Sequence, residues 1–125
     1  MRPRWMLWTG RILSAIPVLV FLVFGAIAFT RSPDVVEGMR KFGYAENLIV
    51  LIASLEILSA LLYAIPQTAV LGAILMTGYL GGAVATHVRV ADPGYPMAIV
   101  MGILTWAGLY LREERLRQLL PLRKT

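Results

Sequence analysis

The sequence predicts an all-α membrane protein: a transmembrane four-helix bundle with a short interfacial helix in its first loop. Three observations predict it. Apolar residues gather into four blocks, Ile12–Phe29, Leu48–Ile65, Ala69–Val88 and Tyr95–Leu111, each close to the ~17–25 residues that a helix needs to cross a hydrocarbon core. Inside those blocks the only acidic or basic side chains are Glu56 and His87. The composition, 58% hydrophobic and 15% charged, departs from the ~45–50% and ~25% of soluble domains. Four such helices hidden inside a soluble chain of this length would leave almost nothing to face water. Transmembrane helices are therefore expected at about 8–29, 47–65, 69–88 and 95–111, in a single integral membrane domain covering 1–125.

The first span follows a basic start, "MRPRW", and contains "AIA" at Ala26–Ala28, which resembles a signal-peptide cleavage site. A cleavable apolar region usually runs about 7–15 residues. Ile12–Phe29 is longer and three more spans follow, so it is read as the first helix. Trp5 and Trp8 suit a membrane interface, as does Tyr95 on the other side, and Arg11 can snorkel to the inner headgroups.

In the first loop, Ser32 or Asp34 can cap a helix. Val35, Val36, Met39 and Phe42 share a stripe, and Gly43 offers a stop. A helix over Asp34–Phe42 is expected to lie flat at the outer interface, an ordinary loop being the alternative. The second span places Ala53, Glu56, Ser59, Ala60 and Tyr63 on one face at helical spacing. Glu56 stands near the middle of its block and hence near the bilayer midplane. A short turn, Pro66-Gln67-Thr68, leads into the third span.

That span contains "TGYLGGAVATHVR" (Thr77–Arg89). Gly78, Gly82 and Thr86 recur every four residues, with Gly81 and Ala85 in a parallel row. In lipid, leucine against leucine gains little over leucine against an acyl chain, so helices associate through close packing that small residues permit. The strip is expected to form an internal seam of the bundle, with a second copy as the alternative partner. Beside it runs a polar row, Tyr79, Ala83 and His87. Thr77 and Tyr79 on the third span, and Thr105 and Trp106 on the fourth, are expected at the depth of Glu56. The candidate pocket is therefore Glu56, Tyr63, Thr77, Tyr79, His87 and Trp106. Glu46, Asn47, Arg89 and Asp92 are expected around His87 as a polar cluster at the outer mouth. Beyond the fourth span, "LREERLRQLLP" can continue as a cytoplasmic surface helix over about 112–120, with Leu116, Leu119 and Leu120 on one side, Glu113 paired with Arg117, and Pro121 ending it.

Basic residues favour the cytoplasmic face. Both termini and the 66–68 turn share a side that collects Arg2, Arg4, Arg11, Arg112, Arg115, Arg117, Arg123 and Lys124, against Arg31, Arg40, Lys41 and Arg89 on the other. Both ends are expected inside. The net charge of +5 is thus explained by headgroups and topology rather than by nucleic acid. The chain has no cysteine, which excludes disulfides, thiolate chemistry and Cys-bound metal of its own. No nucleophilic triad, catalytic carboxylate pair, phosphate-cradling glycine loop or metal-ligand spacing occurs, and a lone His87 lacks a second ligand. Nothing in the residues compels an enzyme.

A carboxyl at the bilayer centre costs several kcal/mol unless paired or protonated, and is a functional candidate by default. For Glu56 three roles stay open: a hydrogen-bonding staple between helices, proton or ion handling, and gripping a polar ligand head. They correspond to three functions: an assembly or interaction factor without ligand, a proton-coupled transporter, and an accessory or scaffold protein whose pocket holds a lipid or a quinone-like molecule. The partners expected are the bilayer and either a membrane redox partner or a second copy.

The chain resembles the DoxX-like family of small bacterial membrane proteins, which usually have four spans. The resemblance runs through the Arg11 start of "RILSAIPVLVFLVFG", "FGYAENL" (Phe42–Leu48), "LEILSALLYAIP" with Glu56, and above all "PQTAVLGAILMTGYLGGAVATHVR" (Pro66–Arg89). One departure is a lysine that relatives often carry near the end of the first helix, where this chain has "AIAF". The resemblance implies an inner-membrane four-helix protein. The family takes its name from a subunit of a thiosulfate:quinone oxidoreductase. Some relatives are linked to redox complexes and others to assembly or trafficking of partner proteins. The resemblance therefore implies fold and location more than chemistry.

Overall fold

The structure, a computed structural model, describes residues 3–123; Arg2 and Lys124, used above for topology, lie outside the described residues. These form an all-helical chain: α1 (Arg4–Phe29), α2 (Pro33–Lys41), α3 (Ile49–Ala64), α4 (Ala69–Arg89) and α5 (Tyr95–Arg112). Short 3-10 turns, Glu46–Leu48 and Pro66–Thr68, lead into α3 and α4, and a third covers Glu114–Gln118. Three stretches, Arg4–Phe29, Glu46–Ala64 and Pro66–Arg89, are long and apolar enough to cross a membrane. The fourth long helix, α5, has 18 residues and closes on the charge of Arg112.

The four long helices form a ring of contacts: α1 packs on α3 and α5, and α4 packs on the same two. Phe21, Tyr63, Met76 and Leu109 fill the centre. The outside is equally apolar, with Ile12 61%, Leu19 60% and Ile103 62% exposed. A surface of that kind is stable against acyl chains, not water.

Helix α2 follows from local chemistry. Ser32 accepts a hydrogen bond from the Val35 N–H at 3.4 Å, Pro33 occupies the first turn without wasting a donor, and Asp34 and Arg40-Lys41 complement the helix dipole at its two ends. It stops where Gly43 takes φ +90. There the Gly43 and Tyr44 N–H groups return to the Arg40 and Met39 carbonyls, both at 2.9 Å, a Schellman closure that needs a left-handed residue. The helix begins one residue before its expected start.

Two expectations fail. The tail does not continue as an α-helix: α5 ends at Arg112, and Arg117 donates to the Tyr110 carbonyl at 2.6 Å rather than pairing with Glu113. Glu113 instead accepts from the Arg115 N–H at 3.3 Å, opening the 3-10 turn. Leu116 is buried, but Leu119 is exposed.

The second failure is the glycine seam. A Cβ added at Gly78, Gly81 or Gly82 would meet nothing within 4 Å, and that strip of α4, Ala85 included, faces outward. Close helix approach occurs elsewhere. A Cβ on Gly72 would stand 2.2 Å from the Tyr63 N, one on Gly108 2.4 Å from the Ser14 Oγ, one on Gly10 2.8 Å from the Gly108 carbonyl, and one on Gly25 2.6 Å from the Ile57 side chain. These glycines bring α3 against α4, α5 against α1, and α1 against α3.

Gly72→Ala and Gly108→Ala are expected to destabilise the folded protein by about 1–3 kcal/mol each through overpacking. Gly81→Ala should be neutral or stabilising by up to ~1 kcal/mol, since alanine is the better helix former. Thermal unfolding of the three variants in detergent compares them directly.

Candidate functional site

On α3, Ile49, Ala53, Glu56, Ala60 and Tyr63 recur at intervals of four and three and are all buried. Glu56 therefore points into the protein, 7% exposed. Its depth partner is set by the helix hairpin. The backbone of Tyr63 touches α4 at Gly72. Seven residues, two turns or about 10.5 Å, back from Tyr63 is Glu56, and seven on from Gly72 is Tyr79. In an antiparallel pair those two must meet. They do: the Tyr79 and Glu56 side chains line the same cleft. Phe21 holds the phenol ring from α1, with ring centres 5.2 Å apart and planes tilted by 57°.

A carboxylate offers about four lone-pair sites, and Tyr79 is the hydroxyl that shares its cleft. The Glu56 and Tyr79 side chains form the floor of a cleft of about 370 Å³ between α1, α2 and α3. Its walls are apolar, from Phe24, Ile27 and Ala28 of α1 and from Ile49 and Ile52. Helix α2 roofs it with Val35, Met39 and the adjoining Phe42, and Asp34 lies at its rim. The stripe read from the α2 sequence thus faces this cleft, except that Val36 does not line it.

The roof is fastened to the α4–α5 loop. Lys41 Nζ lies 3.3 Å from Asp92 Oδ1, the Arg89 guanidinium donates to the Phe42 carbonyl, and the Tyr44 and Thr86 hydroxyls are 2.7 Å apart. His87 sits inside this clasp. Its Nδ1 is 2.7 Å from the Ala83 carbonyl, its ring packs on Phe42 at 4.7 Å, and its Nε2 is 3.7 Å from Asp92 Oδ2. Asp92 also accepts the Gly94 N–H at 2.8 Å. That backbone donor, followed by Lys41 and His87, holds the Asp92 carboxyl below its ordinary range.

The structure therefore divides the expected residues among separate places. Glu56 and Tyr79 come together; His87, Arg89 and Asp92 join in the clasp above them. Glu46 and Asn47 are exposed on their 3-10 turn, and no hydrogen bond or ion pair joins them to the clasp among the described residues. Thr77 and Trp106 pair with each other, Trp106 Nε1 donating to Thr77 Oγ1 at 2.6 Å. They line a shallow groove on the outer face of α4 and α5, away from Glu56. The reason is angular: Thr77 and Tyr79 are two residues apart, some 200° around a helix, and cannot share a face.

Tyr63 belongs to a further cluster two turns below Glu56. Its hydroxyl lies 2.5 Å from the Thr105 carbonyl and 2.9 Å from Ser14 Oγ. Ser14 and Arg112 are not among the expected site residues, and Thr105, expected at the depth of Glu56, lies with Tyr63 instead. The one sequence signal for Ser14 was its small-residue spacing of four from Gly10; Arg112 stood out only as the end of an apolar block.

No curated protein and no solved structure matches the chain. A family model does, over residues 12–108, which takes in Ser14, Glu56, Tyr79, the clasp and Gly108. With that match over more than half its length, and with apolar helices long enough to cross a bilayer, the chain belongs to the DoxX-like family of membrane proteins.

Proposed function

We propose that the protein is an accessory or scaffold component of the bacterial inner membrane, spanning it four times with both termini in the cytoplasm. Its role is to hold a lipid or quinone-like molecule in the cleft beneath α2. The observation that carries this is the pairing of apolar walls with a polar floor. Such a cleft, narrow in polar groups and broad in apolar ones, is the usual form of a small-molecule site. A chain or ring system satisfies the walls, and a hydroxyl or other donor on the head uses the acceptor sites of Glu56. In this orientation α2 is an amphipathic helix at the outer interface, and the clasp governs access. A supporting role for a membrane redox complex fits a bound quinol, whose chemistry would belong to the ligand and the partner.

A second reading rests on a different observation. Among the described residues the outward glycines Gly78, Gly81 and Gly82 meet no neighbour and Ala85 beside them is exposed, and small-residue strips let membrane helices approach closely. An interaction factor, docking a partner protein or a second copy there, would use it without any ligand.

Gentle purification followed by lipid mass spectrometry is expected to show one lipid or quinol class enriched over the bulk membrane extract. Glu56→Ala should reduce that enrichment about 10–100-fold, the value of a hydrogen bond to a carboxylate, and Tyr79→Phe only several-fold. Bulk composition in the wild type would remove the ligand reading and leave the interaction reading.

The clasp gives a pH prediction. Because Asp92 is held below its ordinary value of 3.8, its tie contributes in full above that value and is lost as pH falls through the lowered one. A nitroxide placed through Gly38→Cys, where a Cβ meets nothing within 4 Å, should report an immobile α2 at neutral pH and a mobile one in acid. Asp92→Asn should give the mobile spectrum at neutral pH as well.

A further inference from the structure

At the opposite end from the Glu56 cleft, α1, α3 and α5 converge on a second polar cluster that the proposed ligand does not touch. Arg112 ends α5 with its backbone against α1: a Cβ on Gly10 would stand 2.9 Å from the Arg112 N. Its Nε donates to Ser14 Oγ at 3.0 Å and its Nη2 to the Tyr63 carbonyl at 2.8 Å, and the guanidinium lies 4.6 Å over the Tyr63 ring. The Tyr63 hydroxyl is the donor toward both the Thr105 carbonyl and Ser14 Oγ and shares its one proton between them. Ser14 Oγ thus accepts from Arg112 on one side and from Tyr63 on the other. Arg112 is thereby oriented by three helices.

Arg11, one residue on from Gly10, is exposed and stands 5.0 Å over the Trp8 ring. Both arginines border a cleft of about 230 Å³ whose other walls are Ser14, Ala15, Val18 and Ala64. Among the described residues no acidic side chain lines it. They also border a smaller neighbouring space of about 100 Å³, where Glu113 is present, so the larger cleft is the more positive of the two. From Ser14 to Val18 its apolar wall climbs α1 by about 6 Å toward Leu19, which is 60% exposed.

We propose that this cleft binds the phosphate headgroup of an anionic membrane lipid. Arg112, fixed in place, and Arg11, able to swing from Trp8, grip the phosphate oxygens with guanidinium donors, and the acyl chain runs up α1 along Ala15 and Val18. A free phosphate would use the same donors but leave the apolar wall uncovered. The lipid would tie the start of α1 to the end of α5, the two elements joined at Gly10 and Gly108.

The test compares the full-length protein in detergent with added phosphatidylglycerol, phosphatidylcholine or inorganic phosphate, reading retained adducts by native mass spectrometry and thermal stabilisation. Phosphatidylglycerol should be retained about fivefold over phosphatidylcholine, the order expected from one added guanidinium contact. Arg11→Gln, at an exposed site outside the hydrogen-bonded chain, should abolish that preference while the protein stays folded. Arg115→Gln removes the same charge from the tail and should leave the preference within about twofold. Equal retention of the two lipids by the wild type would overturn the proposal. So would an Arg115→Gln loss equal to that of Arg11→Gln, which would mean bulk charge, or stabilisation by inorganic phosphate equal to that by the lipid. Glu56→Gln should leave all these readouts unchanged, which separates this site from the cleft under α2.

Discussion

The contact of Gly72 with the backbone of Tyr63 is the constraint on which the rest of the molecule depends. In a bilayer no solvent drives leucines together, so two helices hold a fixed register only where their backbones can touch. Fixing Tyr63 against Gly72 sets everything along the α3–α4 pair. Two turns one way, Glu56 meets Tyr79. Two further turns that way, the start of α3 lies near Thr86, whose hydroxyl reaches Tyr44. At the contact itself, Tyr63 is aimed across the protein at Ser14 and Thr105. One glycine with no side chain therefore positions a carboxyl, a clasp and an arginine anchor.

The α1–α5 pair obeys the same rule with different residues. Gly10 and Gly108 face each other, and Ser14 is small enough to lie against Gly108 while still hydrogen bonding to Arg112. A larger residue at either glycine would separate the helices and pull the Arg112 side chain out of reach of Ser14. Packing and polar satisfaction are one requirement here. Among the described residues no buried side-chain nitrogen or oxygen lacks a partner, as a low-dielectric interior demands.

Much of the helical layout was legible because it depends on composition and local signals. The apolar blocks mark the long helices, and Ser32 or Asp34 with Gly43 mark α2 within one residue of its observed start. Glu56 and Tyr79 could be paired because each lies on a polar row of its own helix. The close-packing glycines were not legible. The conspicuous repeat, Gly78-x3-Gly82, lies on the outer face, whereas Gly10, Gly25, Gly72 and Gly108 each stand apart and gain meaning only from what another helix brings to them. Thr77 and Trp106 show the other limit. Depth along a helix can be counted from the sequence, but the facing direction of a neighbour cannot, so residues at one level were gathered into one pocket although they point to different sides.

The polar groups also bear on whether Glu56 holds a ligand or passes protons. A carrier in the middle of a bilayer needs a route to both faces. Above Glu56 the cleft and clasp offer one. Below it, on the same face of α3, come Ser59 and Ala60, 3% and 0% exposed. Ser59 commits its proton to the Glu56 backbone carbonyl at 3.0 Å. Met76 and Phe21, buried to 0% and 2% exposure, fill the core that Ala60 joins. Farther down, the proton of Tyr63 is already shared between Thr105 and Ser14. A relay needs each member able both to accept and to donate along the path, and these groups are either apolar or spent. Among the described residues, then, the Glu56 cleft stands above a floor of packed side chains.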